Sequence, residues 1–244
     1  GVNVQPRLID PDERPWWRRL PGLCAVCHGW GRGRVCGTCI SRFAPHNDRC
    51  LRCAATLTAR VELCGDCIRN PPPFDSALAA VDYGHPWNRL IREFKFNDSP
   101  DLAGPLAELL VAAHRRRTHA PPDLLLPVPL GSGRLKERGY NQSWEIARRC
   151  AHRLGCRTDA TLLLRIKDTP HQLSLPREHR KRNVQGAFAV EPTRRDALRG
   201  RNVTLVDDVM TTQATAAELT KVVRAAGAAA VHVWVVARTP APGH

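Results

Sequence analysis

The chain has 244 residues and a strong basic excess, with 37 lysines and arginines against 23 acidic residues and a formal net charge of +14. This length is enough for one sizeable core and a small additional module, so one or two domains are expected. No apolar run is long enough to span a bilayer, and the N-terminal segment is rich in arginine and tryptophan where a secretion signal would be apolar. We therefore expect a cytoplasmic protein without membrane insertion.

Cysteines dominate the first third of the chain. Eight of the ten cysteines form four C-x-x-C pairs. Each pair presents two thiolates on one tight turn, and two pairs complete the tetrahedral S₄ shell that Zn²⁺ prefers. The sequence therefore predicts two structural zinc ions, with the ligands Cys24, Cys27, Cys36, Cys39, Cys50, Cys53, Cys64 and Cys67.

The pairing of these turns is ambiguous in the sequence. The short first and third spacers favour sequential sites, Cys24–Cys39 and Cys50–Cys67, and a cross-braced arrangement is the alternative. A disulfide framework and a redox C-x-x-C are further alternatives, which a basic chain with four tandem pairs makes less attractive. The other two cysteines, Cys150 and Cys156, are expected to be inert core residues.

A proline-rich hinge at residues 70–74 separates the Cys-rich module from a second domain. We predict an N-terminal extension over residues 1–22, a double zinc-knuckle module over 23–73 and the second domain over 74–244. These boundaries follow from composition alone.

The second domain alternates apolar strands with amphipathic helices. Strands are predicted at Ala77–Tyr83, at an apolar run within 121–129, at Thr161–Ile166 and at Ala228–Ala237. A helix follows the first of these strands, with Lys95 on its polar side. Alternation of this kind predicts an α/β fold, in which a parallel sheet is flanked by helices.

The stretch from Asn202 to Leu219 carries the chemistry. It reads as a buried strand, followed by Asp207 and Asp208, then by three threonines, then by a helix. Backbone N–H groups, a helix N-terminus and hydroxyls together suit a phosphate. The two acids suit a ribose diol or Mg²⁺, so the predicted ligand is 5-phosphoribosyl-1-pyrophosphate (PRPP). A strand–turn–helix unit without a ligand is the alternative.

These residues resemble the PRPP loop of the type I phosphoribosyltransferases, although Gln213 stands where that family usually has glycine. The resemblance implies catalytic roles for Asp207 and Asp208, and Mg²⁺ bound together with PRPP. It assigns the 5-phosphate to Thr211, Thr212, Gln213, Ala214 and Thr215. Glycine at the Gln213 position serves a positive φ or a close approach to phosphate, so glutamine there should hinder binding. The loop Leu130–Gly139 is expected to bind pyrophosphate through Gly131, Arg134 and Arg138.

A second resemblance covers nearly the whole chain. The tandem cysteine turns, the proline-rich hinge, the Tyr83 and Lys95 region, PVPL…RGYNQS and the pattern Q-x-x-L-x-x-x-x-R-x-x-N-V-x-x-A-F together resemble the ComF/GntX family. The last pattern adds Gln172, Arg180 and Asn183 as lid residues. This resemblance implies a role in DNA uptake during natural competence or in DNA utilisation, with DNA-uptake or helicase proteins as partners.

Two functions from different classes follow. The first is a phosphoribosyltransferase with an unknown acceptor. The second is a non-catalytic adaptor that keeps the fold and binds single-stranded DNA. Between Arg134 and Arg201 there are 17 basic residues against 7 acidic ones, which favours salt-dependent contact with polyanions. A merely solvated basic face is the alternative.

Overall fold

The computed structural model describes residues 21–96, 99–167 and 184–240. The Cys-rich module begins with two short antiparallel strands, β1 (Gly22–Leu23) and β2 (Trp30–Gly31). Two short helices follow, α1 (Gly37–Phe43) and α2 (Gly65–Arg69). Each of these helices begins directly after a cysteine, Cys36 or Cys64.

The second domain is built on a five-stranded parallel sheet with the order β3-β9-β8-β4-β5. The strands are β3 (Ser76–Asp82), β4 (Leu124–Pro127), β5 (Arg157–Thr158), β8 (Asn202–Met210) and β9 (Ala230–Arg238). The helices are α3 (Trp87–Phe96), α4 (Ala103–Arg117), α5 (Ser132–Arg138), α6 (Gln142–Leu154) and α7 (Ala214–Ala225). The predicted α/β sheet flanked by helices, preceded by a Cys-rich module, is confirmed.

The two faces of the sheet bury different side chains, because successive residues of a strand point to opposite sides. Leu125 and Val206 pack with helices α3, α4 and α6 on one face. On the other face, Leu126 and Leu205 pack with α7. Helices cover both faces, as a parallel sheet requires.

The central strand β8 is longer than the sequence predicted. Its pairing with β9 continues through Asp207 opposite Val235 to Met210 opposite Arg238. The two acids therefore lie inside the strand and not after it. The apolar run stops at Val206, but backbone pairing continues because polar side chains at the end of a strand can face a cleft.

Two further segments differ from their predicted structure. The strand predicted at Thr161–Ile166 is β6 (Leu163–Arg165), which pairs antiparallel with β7 (Phe188–Val190) outside the main sheet. The apolar side chains of β6 pack into the core on the side of the sheet that α7 covers. The expected pyrophosphate loop Leu130–Gly139 is largely the helix α5, which ends at Gly139 in the left-handed region (φ 78).

The Cys-rich module packs directly against the second domain. Trp87 Nε1 donates a 2.6 Å hydrogen bond to the carbonyl of Phe43. Arg49 forms a 2.8 Å ion pair with Asp82 at the end of β3. Cys24 and Cys39 belong to the same apolar cluster as helices α3 and α4. Among the described residues, no helix has the length and apolar character needed to cross a membrane.

Candidate functional site

A cleft of about 290 Å³ lies at the carboxyl end of the central strands, where ligands bind in open α/β sheets. Strand β8, the turn that follows it, and helices α3, α5 and α6 all contribute to its walls. Its polar lining residues include Lys95, Arg134, Arg138, Gln142, Ser143, Asp207, Asp208, Thr211, Thr212, Gln213 and Thr215. Most of the candidate residues from the sequence therefore meet in one place.

The β8–α7 turn presents the predicted phosphate-binding residues to this cleft. Thr211, Thr212, Gln213, Ala214 and Thr215 all line it. Helix α7 begins at Ala214, so its N-terminal N–H groups and its dipole are directed toward the turn. This arrangement can bind an anion.

Gln213 has the left-handed backbone conformation for which the sequence comparison expected glycine. Its φ is 65° and its ψ is 0°, and its carbonyl accepts the N–H of Ala217 at 2.8 Å. A non-glycine residue in this region is strained by about 1–2 kcal/mol. The chain therefore keeps the turn geometry despite the glutamine.

Asp208 forms a buried ion pair with Lys95. Lys95 Nζ lies 2.9 Å from Asp208 Oδ2, and the two side chains are 25% and 4% exposed. Burial alone would lower the pKa of Lys95, but the Asp208 and Asp207 carboxylates raise it above its ordinary value. Lys95 was predicted on the polar side of α3, and that side of the helix lines the cleft at the end of β8.

Asp207 is half-buried and has different partners. Its Oδ1 accepts hydrogen bonds from Ser143 Oγ at 3.0 Å and from the N–H of Asp208 at 2.8 Å. Burial and the adjacent Asp208 charge raise the pKa of Asp207 to about 7. A carboxyl group with this pKa can hold or release a proton near neutral pH. The sequence did not identify Ser143, although it belongs to the RGYNQS motif.

Helix α5 brings the predicted pyrophosphate-binding cations to the cleft. Arg134 and Arg138 line it, and the Arg138 guanidinium lies 5.0 Å from the centre of the Phe96 ring. Gly131 is the N-cap of α5 and is buried beside the cleft wall. The predicted lid residues Gln172, Arg180 and Asn183 lie outside the described residues.

Arg238 was missed by the sequence analysis. It is 6% exposed at the end of β9. Its Nη1 donates to the carbonyls of Met210, Thr211 and Thr239 at 3.2, 3.0 and 2.8 Å, and its Nε donates to the carbonyl of Cys53 at 3.0 Å. Arg238 thus joins the start of the β8–α7 turn to the second cysteine cluster. In the sequence, a charged residue at the end of an apolar strand was the feature that could have indicated a buried role for Arg238.

The eight predicted metal ligands form two clusters in sequential order. One contains Cys24, Cys27, Cys36 and Cys39, the other Cys50, Cys53, Cys64 and Cys67, and the sulfurs of each cluster lie within 4.8 Å of one another. The Cys27 and Cys36 sulfurs are 3.8 Å apart and the Cys53 and Cys64 sulfurs 3.7 Å apart. These distances match the edge of a tetrahedron with Zn–S bonds of about 2.3 Å. They are far longer than a disulfide bond, so the geometry suits Zn²⁺ in two sequential sites.

The electrostatics of the clusters also suit a cation. Burial raises the pKa of Cys24, but backbone N–H groups of Cys27, Cys36 and Val26 bring it down to about 6. In the other cluster, burial and the neighbouring charge of Cys50 raise the pKa of Cys53 to about 11. Burial raises the pKa of Cys50 as well, but backbone N–H groups of Cys64, Cys53 and Arg52 bring it down to about 7. Each cluster therefore stabilises its first thiolate, and a bound cation would stabilise the others. By contrast, burial raises the pKa of Cys150 to about 12, which fits an inert thiol.

Curated relatives match almost the whole chain. The DNA utilization protein YhgH of Salmonella typhi is 35% identical over 230 residues, which are 90% of this chain and 98% of the relative. The protein of the same name from Escherichia coli K12 is 34% identical over 227 residues, with the same coverage. Competence protein F of Haemophilus influenzae is 33% identical over 222 residues, which are 88% of this chain and 96% of the relative.

Solved structures give weaker matches. A glutamine PRPP amidotransferase from B. subtilis has a TM-score of 0.39 and 18% identity, over 59% of this chain and 30% of that chain. A purine phosphoribosyltransferase from Pyrococcus horikoshii has a TM-score of 0.33 and 16% identity, over 55% of this chain and 81% of that chain. At these TM-scores neither match supports a functional argument, which has to come from the site itself. No family model matches the chain. The identity and coverage of the curated relatives, together with the two cysteine clusters, show that the chain belongs to the ComF/GntX family.

Proposed function

We propose that the cleft binds PRPP and that the protein acts in the use of DNA. The observation that carries the first part is the meeting of an anion-binding turn, two acids and five basic side chains in one cleft of about 290 Å³. The second part rests on the names of the relatives, which refer to DNA utilization and competence. We propose a cytoplasmic location for this function.

In this proposal the parts of PRPP occupy different walls of the cleft. The hydroxyls of Thr211, Thr212 and Thr215 and the N-terminal N–H groups of α7 bind the 5-phosphate. Asp207 accepts a hydrogen bond from a ribose hydroxyl. Arg134 and Arg138 neutralise the pyrophosphate, as guanidinium groups do with phosphate oxygens.

Two kinds of metal belong to the proposal. The cysteine clusters hold one structural Zn²⁺ each, because their sulfur spacing and thiolate stabilisation fit that ion. Mg²⁺ bound with PRPP would neutralise pyrophosphate charge, and Asp207 is the carboxylate available for it, since Asp208 is paired with Lys95. In this proposal Lys95 pairs with Asp208 beneath the ribose site.

The reaction proposed is the transfer of the phosphoribosyl group with loss of pyrophosphate. The bond between ribose C1 and the pyrophosphate oxygen breaks, and positive charge develops on the ribose. Asp207 would stabilise that charge, whereas the charge of Asp208 is already balanced by Lys95. The acceptor supplies the new bond to C1.

Asp207→Asn tests the location of the ligand. Above its pKa of about 7, the Asp207 carboxylate is a charge-assisted hydrogen-bond acceptor, which contributes about 1.5–3 kcal/mol. PRPP affinity measured by titration calorimetry above that pH should therefore fall at least about tenfold in the variant. The matched control is Asp196→Asn, because the Asp196 side chain is 87% exposed in a surface ion pair with Arg199. Equal affinities for the two variants would refute the assignment of Asp207.

A second candidate function is binding of PRPP without turnover, and Gln213 favours it. Its side chain lines the cleft at the turn where phosphate would approach, and its backbone is held in a strained conformation. A coupled assay for pyrophosphate, run on protein saturated with PRPP, separates the two candidates. Release of pyrophosphate that depends on an added acceptor supports transfer, and binding with no release supports the adaptor.

A further inference from the structure

Arg238 is a buried cation behind the β8–α7 turn. It is the last residue of β9, it is 6% exposed, and it does not line the cleft. In the part of the chain that the structure describes, Arg238 forms no ion pair with a carboxylate, and all of its hydrogen bonds go to backbone carbonyls. An uncompensated charge in the protein interior is destabilising, so an anion bound nearby would stabilise this one.

Two of the carbonyls that Arg238 binds belong to the start of the turn. Its Nη1 donates to the carbonyl oxygens of Met210 and Thr211, at 3.2 and 3.0 Å. The Met210 oxygen also accepts the N–H of Thr239 at 3.1 Å, so it is held by two donors. The orientations of these two peptide groups are therefore fixed from the interior of the protein.

These orientations also fix the N–H groups of the next two peptides, because the N–H of a trans peptide group points opposite to its carbonyl. Both peptide bonds are trans, since the one cis bond within the described ranges joins His85 to Pro86. The N–H groups of Thr211 and Thr212 therefore point away from Arg238. Neither has an acceptor among the residues that the structure describes, and both threonines line the cleft. Two backbone donors are thus available to an anion in the cleft.

We propose that Arg238 is a positioning residue for the phosphate group of the ligand. Its guanidinium turns the Thr211 and Thr212 N–H groups toward the cleft and places a positive charge behind them. This inference rests on the phosphate-binding role proposed for the turn, and it assigns the orientation of that turn to one residue. Arg238 acts through the backbone and does not contact the ligand, since it is not part of the cleft lining. Its charge attracts a phosphate across the turn, because screening is weak in the protein interior.

The test follows phosphate binding at the turn itself. Arg238→Met removes the charge and the donors. The matched control is Arg117→Met, which removes an arginine whose Nη1 donates to the Ala77 carbonyl at 2.8 Å, away from the cleft. Each protein is isotopically labelled for NMR spectroscopy and titrated with inorganic phosphate, while the amide signals of Thr211, Thr212 and α5 are followed. Melting temperature and zinc content establish that the variants are folded.

The phosphate affinity that the Thr211 and Thr212 signals report should fall at least about tenfold in Arg238→Met and hold in Arg117→Met. The α5 signals should report the same affinity in all proteins, because the arginines of that helix bind phosphate independently of the turn. A residue that only ties the Cys-rich module to the turn would lower the melting temperature without this selective loss. Arg238→Lys keeps the charge but has fewer donors, so its affinity should lie between those of the wild type and Arg238→Met.

Equal phosphate responses of Thr211 and Thr212 in the wild type and Arg238→Met overturn the proposal. Signals that ignore phosphate in the wild type overturn it too, and this result needs no folded variant. If Arg238→Met does not fold, wild-type affinity in Arg238→Lys refutes the orienting role of the guanidinium. Failure of the proposed function gives a different result, in which calorimetry finds no PRPP binding to the wild type. Phosphate would then still shift the Thr211 and Thr212 signals, and Arg238→Met would still weaken that response.

Discussion

Replacement of Lys95 by methionine tests the buried ion pair at the floor of the cleft. Methionine keeps the length of the side chain and removes the charge that lies 2.9 Å from Asp208. Asp208 is only 3% exposed, so its carboxylate would be left without its cation and out of reach of bulk water. Breaking one partner of a buried pair destabilises proteins by about 3–5 kcal/mol.

We expect the lower end of that range, about 3 kcal/mol, because Lys95 is 25% exposed and Arg138 also acts on the Asp208 charge. For a protein of this size, the loss corresponds to a decrease in melting temperature of about 6–12 °C. Asp208→Asn should destabilise less, since the lysine left behind can reach water. The double variant should recover most of the loss of Lys95→Met, because the residues act as a pair.

Thermal and urea denaturation of the four proteins measure these differences. The control is Lys221→Met, whose lysine is 65% exposed in a surface pair with Glu218 and should change stability by less than about 0.5 kcal/mol. A loss below about 1 kcal/mol for Lys95→Met would show that the pair is solvated, contrary to this reasoning. If the double variant were no more stable than Lys95→Met alone, that result would also contradict the pairing of Lys95 with Asp208.

Three further predictions concern the metal, the turn and the acid. Metal analysis should find close to two zinc ions per chain, one for each cluster. Removal of zinc by a chelator should also weaken PRPP binding, because Arg238 joins Cys53 to the β8–α7 turn. Undiminished PRPP affinity after chelation would disprove that link. In urea denaturation, the free energy of unfolding of Gln213→Gly should equal that of the wild type or exceed it by up to about 1 kcal/mol. Gln213→Val should lower it. A lower free energy of unfolding in the glycine variant would contradict the strain argument. The pKa of Asp207 is raised to about 7 in the folded protein, above the unfolded value of about 3.9, so the folded state binds more protons between these values. Relative to Asp207→Asn, the wild type should therefore lose stability as the pH rises from about 4 to about 7, and a flat difference would oppose this pKa.

Local sequence patterns predicted the cysteine clusters and the buried strands, because one type of residue is enough to indicate each of these features. The four C-x-x-C turns indicated both cysteine clusters, and short spacers indicated the sequential grouping that the structure shows. The apolar runs predicted β3, β4, β8 and β9, because buried parallel strands are continuously apolar. Asn141, near which a helix was predicted to start, is its N-cap and accepts the N–H groups of Ser143 and Trp144.

Contacts between distant parts of the chain could not be read from these patterns. The pair of Lys95 with Asp208 depends on how α3 crosses the end of β8, which no local period encodes. Likewise, β6 has the composition of a sheet strand, and only the tertiary fold determines that it pairs with β7 instead. Arg238 is a third case, since three of its four carbonyl partners, Cys53, Met210 and Thr211, lie far from it in the sequence.

The central claim is that the cleft beside the β8–α7 turn binds PRPP. Titration calorimetry of the unmodified protein with PRPP, in the presence and absence of Mg²⁺, tests it most directly. We predict saturable binding at one site per chain that strengthens with Mg²⁺, because the metal reduces the pyrophosphate charge close to Asp207 and Asp208. The absence of binding to zinc-loaded, folded protein under both conditions would contradict the claim.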